Sequence, residues 1–162
     1  MKAATVSEIK RELRERSPDE LIELCLRLSK FKKENKELLT YLLYEAVDEE
    51  AYIQSVKQDM EDEFEMINTS SFYFIKKSVR KILRNAKKYI RYSGQKTTEI
   101  EILMHFCKTL KTMHPSMQRS QTLVNLYERQ IAMIKKKISG LNEDLQYDYG
   151  VELEQLSAPK IL

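Results

Sequence analysis

Residues 71–95, SFYFIKKSVRKILRNAKKYIRYSGQ, decide the fold class that the sequence predicts. A helix turns about 100° per residue, so the direction of each side chain can be counted along this stretch. One set of apolar side chains then falls within roughly 80° of Ile75: Phe72, Val79, Ile82, Leu83, Ala86 and Ile90. Gly94 follows as a C-cap, so the pattern predicts a helix from about residue 71 to residue 92 with one buried face.

The same signals predict helices along almost the whole chain. Ser17-Pro18-Asp19-Glu20 combines an N-cap serine, a proline at the first helical position and a capping-box glutamate, which opens a helix that runs to about Phe31. A turn is expected at 32–35, and Asp48 and Thr97 or Thr98 are expected to cap later helices. Further helices are predicted over about 7–16, 35–47, 48–67, 97–113 and 117–139, and from about 142.

These predictions give an all-α fold. The chain of 162 residues has only three glycines and three prolines, a scarcity that favours long helices over many short strands. Short connections favour antiparallel helix hairpins, stacked irregularly as an α-α superhelix of HEAT-like or armadillo-like architecture, with a closed helical bundle as the alternative. We expect a single domain over residues 1–156 and a frayed tail over 157–162.

The composition excludes several protein classes. No apolar run approaches the ~18 residues of a membrane span, and the first ten residues, MKAATVSEIK, lack the apolar core of a signal peptide. Cys25 and Cys107 are too few for a disulfide framework and fit a reducing compartment. A cytoplasmic protein without a membrane span is therefore expected, and its oligomeric state stays open.

Charge is strongly segregated along the chain. Nine basic residues and no acidic one lie between Glu65 and Glu99, whereas residues 45–65 carry nine acidic residues and one basic one. Six of these cations form a basic ridge opposite the apolar face of the predicted helix: Lys77, Arg80, Arg84, Lys87, Lys88 and Arg91. Tyr73 lies on the same side. Three interpretations fit the ridge: a solvated helix surface, a site for nucleic-acid phosphates with Tyr73 stacking on a base, and contact with an anionic membrane or an acidic patch of another copy.

No catalytic, cofactor or metal motif is present in the sequence. Gly94, Gly140 and Gly150 stand alone, so no phosphate-cradling loop is formed, and zinc-ligand spacing is absent. Both cysteines are predicted to be buried core thiols. His105 is predicted to pair with Glu101 one helical turn earlier. No cofactor and no metal are expected.

Three functions are therefore considered. The first is a non-enzymatic interaction or scaffold protein that holds another macromolecule, a protein above all, on a helical surface. The second is a nucleic-acid-binding protein that uses Tyr73 and the basic ridge. The third is a helical enzyme whose site assembles from residues far apart in the sequence.

Overall fold

The computed structural model describes residues 1–157, and within them the chain forms eight α-helices and no strand. The all-α prediction is confirmed, whereas the stacked-hairpin and closed-bundle architectures both stay predictions. The chain divides into two compact units, the first covering Met1–Tyr44 and the second beginning at Glu45. The prediction of a single domain over residues 1–156 stays a prediction.

Unit 1 begins with two helices, and each of them has a capping box at its N-terminus. Helix α1 covers Val6–Arg14 and α2 covers Pro18–Phe31. The Ser17 side chain accepts a hydrogen bond from the Glu20 backbone N–H at 3.2 Å, and the Glu20 carboxylate accepts one from the Ser17 N–H in return. The capping box that the sequence predicts at Ser17 is confirmed.

Helix α3 follows after a connection that is shorter than predicted. It covers Lys33–Thr40 and leads into a π-helical segment, Tyr41–Glu45, which extends past the end of unit 1. Only Lys32 leaves helical geometry, so the turn predicted over 32–35 is wrong. The Asn35 side-chain amide donates to the Leu28 carbonyl at 2.8 Å, a bond across the joint that helps to hold the tight connection.

Unit 1 leaves its apolar side chains in contact with solvent. None of its leucine, isoleucine, valine or phenylalanine residues is buried, and only Ser29 and Tyr41 are. Cys25 is exposed, so the prediction of a buried thiol is wrong at this position. The periodicity identifies the apolar side of α2, but no element of unit 1 buries that side.

Unit 2 contains the remaining five α-helices. They are α4 (Glu49–Glu65), α5 (Phe72–Ser93), α6 (Lys96–Thr112), α7 (Gln121–Ile138) and α8 (Glu143–Ser157). Asp48 caps α4 as predicted, and Gly94 ends α5 in the left-handed region with φ of 68°. A short 3₁₀ turn, Met117–Arg119, precedes α7, so the helix predicted from residue 117 begins later than expected.

Helix α6 is the centre of unit 2. Its buried apolar residues cover about 200° of the helix circumference, which is much wider than one stripe: Ile100, Ile102, Leu103, Met104, Phe106, Cys107 and Leu110. An apolar face this wide requires more than one neighbouring helix to cover it. Helices α4, α5, α7 and α8 all pack on it.

The start of α6 differs from the prediction because of a buried carboxylate contact. Thr98 is fully buried, and its hydroxyl donates to a Glu49 carboxylate oxygen at 2.6 Å instead of capping the helix. The Ser93 hydroxyl donates to the same oxygen. The predicted cap at Thr97 or Thr98 is therefore wrong, and the Thr98 hydroxyl ties α6 to the first turn of α4.

The predicted tail lies almost entirely outside the described residues, since Ser157 ends α8 and the description stops there. Within residues 1–157, no helix combines the length and the apolar content that a membrane crossing requires.

Phe106→Ala is expected to lower the free energy of unfolding of unit 2 by about 3–5 kcal/mol, because its ring is fully buried in α6 and lies against Phe64. If that variant does not fold, Ile100→Val tests the same core at a cost of about 1 kcal/mol. Urea unfolding followed by far-ultraviolet circular dichroism measures both losses. The control Met66→Ala, at a residue 85% exposed, should change stability by less than about 0.5 kcal/mol.

Candidate functional site

The basic ridge lies on the solvent side of α5, as the helical period predicts. Ile75, Val79 and Ile90 are buried on the opposite side of this helix, together with Ile82, Leu83 and Ala86. The six ridge cations therefore lie along about four helical turns of a surface that the core does not use. The interior fixes the direction of the ridge because rotating α5 would expose its apolar face.

Four of the ridge cations line a groove between α5 and α7. Both helices pack on α6 but not closely on each other, and the groove between them has a volume of about 640 Å³. Its α5 wall carries Arg80, Arg84, Lys87 and Arg91. Lys137 approaches from α7, so the structure brings a fifth cation to the same groove.

Apolar side chains line the groove between these cations. Leu83 and Ile90 contribute the edges of otherwise buried side chains, and Met133 of α7 is 37% exposed. A ligand in the groove therefore meets apolar side chains that are flanked by cations on both helices.

The remaining predicted site residues lie outside the groove. Tyr73 is exposed near the start of α5, and its ring meets the Phe74 ring edge-on at 5.4 Å between centroids. Lys77 is exposed one turn after Tyr73. The Lys88 ammonium lies over the Tyr89 ring at 5.0 Å from its centroid, and Lys88 does not line the groove. The structure thus divides the predicted set into a groove group and an outer group.

Within residues 1–157, no carboxylate lies within 4.0 Å of the charged groups of Arg80, Arg84, Lys87 or Arg91. The one acidic residue that lines the groove is Glu99 of α6, and its carboxylate pairs with the Lys137 ammonium at 2.9 Å. The acidic helix α4 does not neutralise these four cations. Its Glu63 instead accepts a hydrogen bond from the neutral Asn85 amide at 3.2 Å.

A second groove, of about 790 Å³, lies on the other side of α6 between α4 and α8. Here the Glu101 carboxylate accepts hydrogen bonds from the Lys57 ammonium at 3.2 Å and from the Tyr149 hydroxyl at 3.1 Å. Burial, with the negative charge of Glu101 next in importance, raises the pKa of Tyr149 to about 12, so the phenol stays protonated and remains a donor. The polar groups of this cluster are paired with one another.

The predicted pair of His105 with Glu101 is wrong. His105 Nε2 lies 2.9 Å from Glu61 Oε1 on α4, in an ion-pair contact that is not aligned as a hydrogen bond. Burial lowers the pKa of His105 most, and the nearby ammonium groups of Lys57 and Lys108 lower it further, while Glu61 opposes the shift. Sequence spacing could not reveal the true partner because it lies on another helix.

Lys137 and Glu99 are the site residues that sequence reasoning did not assign. The triplet Lys135-Lys136-Lys137 carries a signal for a basic surface, but only the packing of α7 on α6 shows which of the three faces the groove. No three carboxylate, imidazole or thiol groups converge as metal ligands in the part of the chain that the structure describes.

Comparison of the chain with protein-family models, with curated protein sequences and with solved structures found no match.

His105 predicts a pH dependence of stability. Because its folded pKa lies below the ordinary value of 6.5, the unfolded chain binds more protons as the pH falls below 6.5. The contribution of His105 to the free energy of unfolding is therefore expected to be at its maximum above that pH. It should decline as the pH falls toward the folded pKa.

Urea midpoints measured between neutral and mildly acidic pH check this expectation. His105→Gln should flatten the decline, and His114→Gln, at an exposed site, serves as the matched control. An equal decline in wild type and in His105→Gln would assign the pH dependence to other groups.

Proposed function

We propose that the protein binds nucleic acid in the groove between α5 and α7. The observation that carries the proposal is the row formed by Arg80, Arg84, Lys87 and Arg91, which lines the groove and has no carboxylate partner among residues 1–157. The phosphate backbone of a nucleic acid supplies negative charge in a regular series, and its neutralisation by lysine and arginine releases counterions.

The spacing of the cations suits a chain of phosphates. From Lys77 to Arg91 the basic ridge extends about 21 Å along the helix axis, and its four groove cations follow one another at intervals of three or four residues, or about 4.5–6 Å. Three of the four α5 cations that line the groove are arginines. The planar guanidinium group of arginine can bind two phosphate oxygens at once.

A nucleic acid fits this surface better than an acidic protein does. Protein interfaces deplete charge at their centre, whereas this groove is lined by five cations beside the apolar side chains of Leu83, Ile90 and Met133. The exposed ring of Tyr73 adds a stacking surface for a base at one end of the ridge. Single strands and duplexes share the phosphate chemistry, and the stacking contact favours a single strand.

The broader hypothesis of an interaction protein that holds a macromolecule on a helical surface includes this proposal. The second groove supports an enzyme less well, because Glu101, Lys57 and Tyr149 bond to each other.

Charge reversal in the groove tests the proposal. Arg84→Glu/Arg91→Glu should weaken binding to a labelled single strand by at least about tenfold, since each lost phosphate contact removes favourable electrostatic free energy. For wild type, log K should fall with log salt at a slope of about −3.5 if five cations contact a single strand, and the variant should show a shallower slope. Fluorescence anisotropy across a salt series measures both quantities.

The matched control is Lys135→Glu/Lys136→Glu, which changes the net charge equally at exposed α7 positions that do not line the groove. It should retain most of the affinity. A duplex and an acidic polypeptide of equal charge complete the experiment. Equal losses of affinity in both variants would contradict the proposal. Binding of the polypeptide as tightly as the nucleic acids would contradict it as well.

Glu99→Gln provides a test of opposite sign. The change removes the one carboxylate that lines the groove and frees the Lys137 ammonium from its 2.9 Å ion pair. Affinity for the single strand should rise about two- to fivefold, the range expected for one partly exposed charge pair. Unchanged or weaker binding in the same anisotropy assay would show that the strand does not approach Lys137.

A further inference from the structure

Unit 1 has helical structure without a core of its own. It spans 44 residues, yet all of its leucine, isoleucine, valine and phenylalanine side chains are at least partly exposed. Chains of this size that cannot bury enough apolar surface need disulfides, metals or association with another chain to stay folded. Its one cysteine, Cys25, has a free thiol, and no metal cluster forms within residues 1–157.

Four apolar residues of α2 form one face, which we call the α2 stripe, whereas Ile22 and Leu26 are exposed on the opposite side of the helix. Leu21, Leu24, Leu28 and Phe31 follow one another at spacings of three, four and three residues, the repeat of a helix that packs along another helix. Exposure rises along it, from 41% at Leu24 to 61% at Leu28 and 77% at Phe31.

Helix α1 widens this face. Ile9 and Leu13 line a groove of about 730 Å³ between α1 and α2, in which Leu24 also lies. Together with Val6, Leu28 and Phe31, these side chains expose roughly 600 Å² of surface, taking about 180 Å² for a fully exposed large residue. A standard interface buries about 800 Å² per partner, and homodimer interfaces are about two-thirds apolar. The area is thus close to what a stable dimer needs.

The charges along α2 match a second copy in antiparallel orientation. Its first half carries Asp19, Glu20 and Glu23, and its second half carries Arg27 and Lys30, followed by Lys32. Turning a second α2 end for end places the acidic half of each helix against the basic half of the other. Unit 1 as a whole is also nearly neutral, with ten basic and eight acidic residues, so two copies approach without strong repulsion.

From these observations we propose that two copies of the chain associate through unit 1, with their α2 stripes packed antiparallel about a two-fold axis. In this arrangement Leu21 packs on Phe31 of the second copy, and Leu24 packs on Leu28 of the second copy. Glu23 and Arg27 lie on the same side of the stripe, beside the groove between α1 and α2, so each Arg27 lies near the axis between Glu23 and Arg27 of the second copy. Cys25 lies near the axis on the opposite side. The inference does not depend on the proposed nucleic-acid binding.

The first test is the mass of the full-length chain in solution, measured by sedimentation equilibrium at micromolar concentration. Wild type should be a dimer, and Leu24→Glu/Leu28→Glu should be a monomer at the same concentration. The control Met66→Glu changes an 85% exposed apolar residue of unit 2 and should leave the dimer intact. A monomeric wild type overturns the proposal and leaves the α2 stripe to a different protein.

A charge-swap pair separates a lost interface from a misfolded unit. Glu23→Arg and Arg27→Glu should each weaken the homodimer about tenfold, because each change places like charges at two symmetric contacts. A mixture of the two variants should restore wild-type affinity, since the arginine introduced in one copy faces the glutamate introduced in the other. Failure of the mixture to recover affinity rules out this antiparallel register.

Cys25 reports the same geometry independently. A short bis-maleimide should join two wild-type copies through this exposed thiol, whereas Cys107 is buried with its pKa raised to about 12 and should not react in the folded protein. Leu24→Glu/Leu28→Glu should abolish the cross-link while leaving Cys25 open to single-ended labelling. Cross-linking that persists unchanged in this variant contradicts the proposed interface.

Discussion

The burial of α6 is the constraint on which the rest of unit 2 depends. Because Ile100 and Ile102 point about 160° apart and are both fully buried, a single neighbouring helix cannot exclude water from the apolar face of α6. Four helices accomplish this, and chain order pairs α4 with α5 and α7 with α8. Four neighbours joined in two pairs leave two gaps around the centre, one between α5 and α7 and one between α4 and α8. Both grooves of unit 2 follow from that arrangement.

The two grooves differ in how their charges are used. Between α4 and α8, Lys57 and Tyr149 both bond to Glu101, so the charged groups stabilise one another. Between α5 and α7, the Glu99 carboxylate pairs with Lys137, and within residues 1–157 no carboxylate lies within 4.0 Å of the four groove cations of α5. The helices α4 and α5 pack through their apolar faces, which directs the acids of α4 away from the basic ridge. Charge segregation in the sequence therefore persists in three dimensions instead of being cancelled by folding.

Local periodicity correctly predicted those features that depend on the residues of a single helix. It identified the buried face of α5, the capping box at Ser17 and the glycine at the end of α5, because each of these needs only residues within a few positions. It failed where a polar group finds its partner on another helix. Thr98 bonds to Glu49 and His105 contacts Glu61, both more than 40 residues away in the chain. Pattern alone cannot rank such distant partners against a near neighbour.

Cys25 shows a different limit of the same reasoning. An apolar stripe states which side of a helix avoids water, but it does not state whether the cover comes from the same chain. In unit 2 the cover is intramolecular, and Cys107 is buried as predicted; in unit 1 the equivalent position on the stripe side of α2 is exposed. The two proposed surfaces consequently differ in their main interaction, which is electrostatic at the groove between α5 and α7 and hydrophobic at the α2 stripe. Added salt screens the contacts of arginine with phosphate, whereas it leaves the packing of leucine on leucine intact or strengthens it. Salt concentration thus separates the two associations in a single preparation.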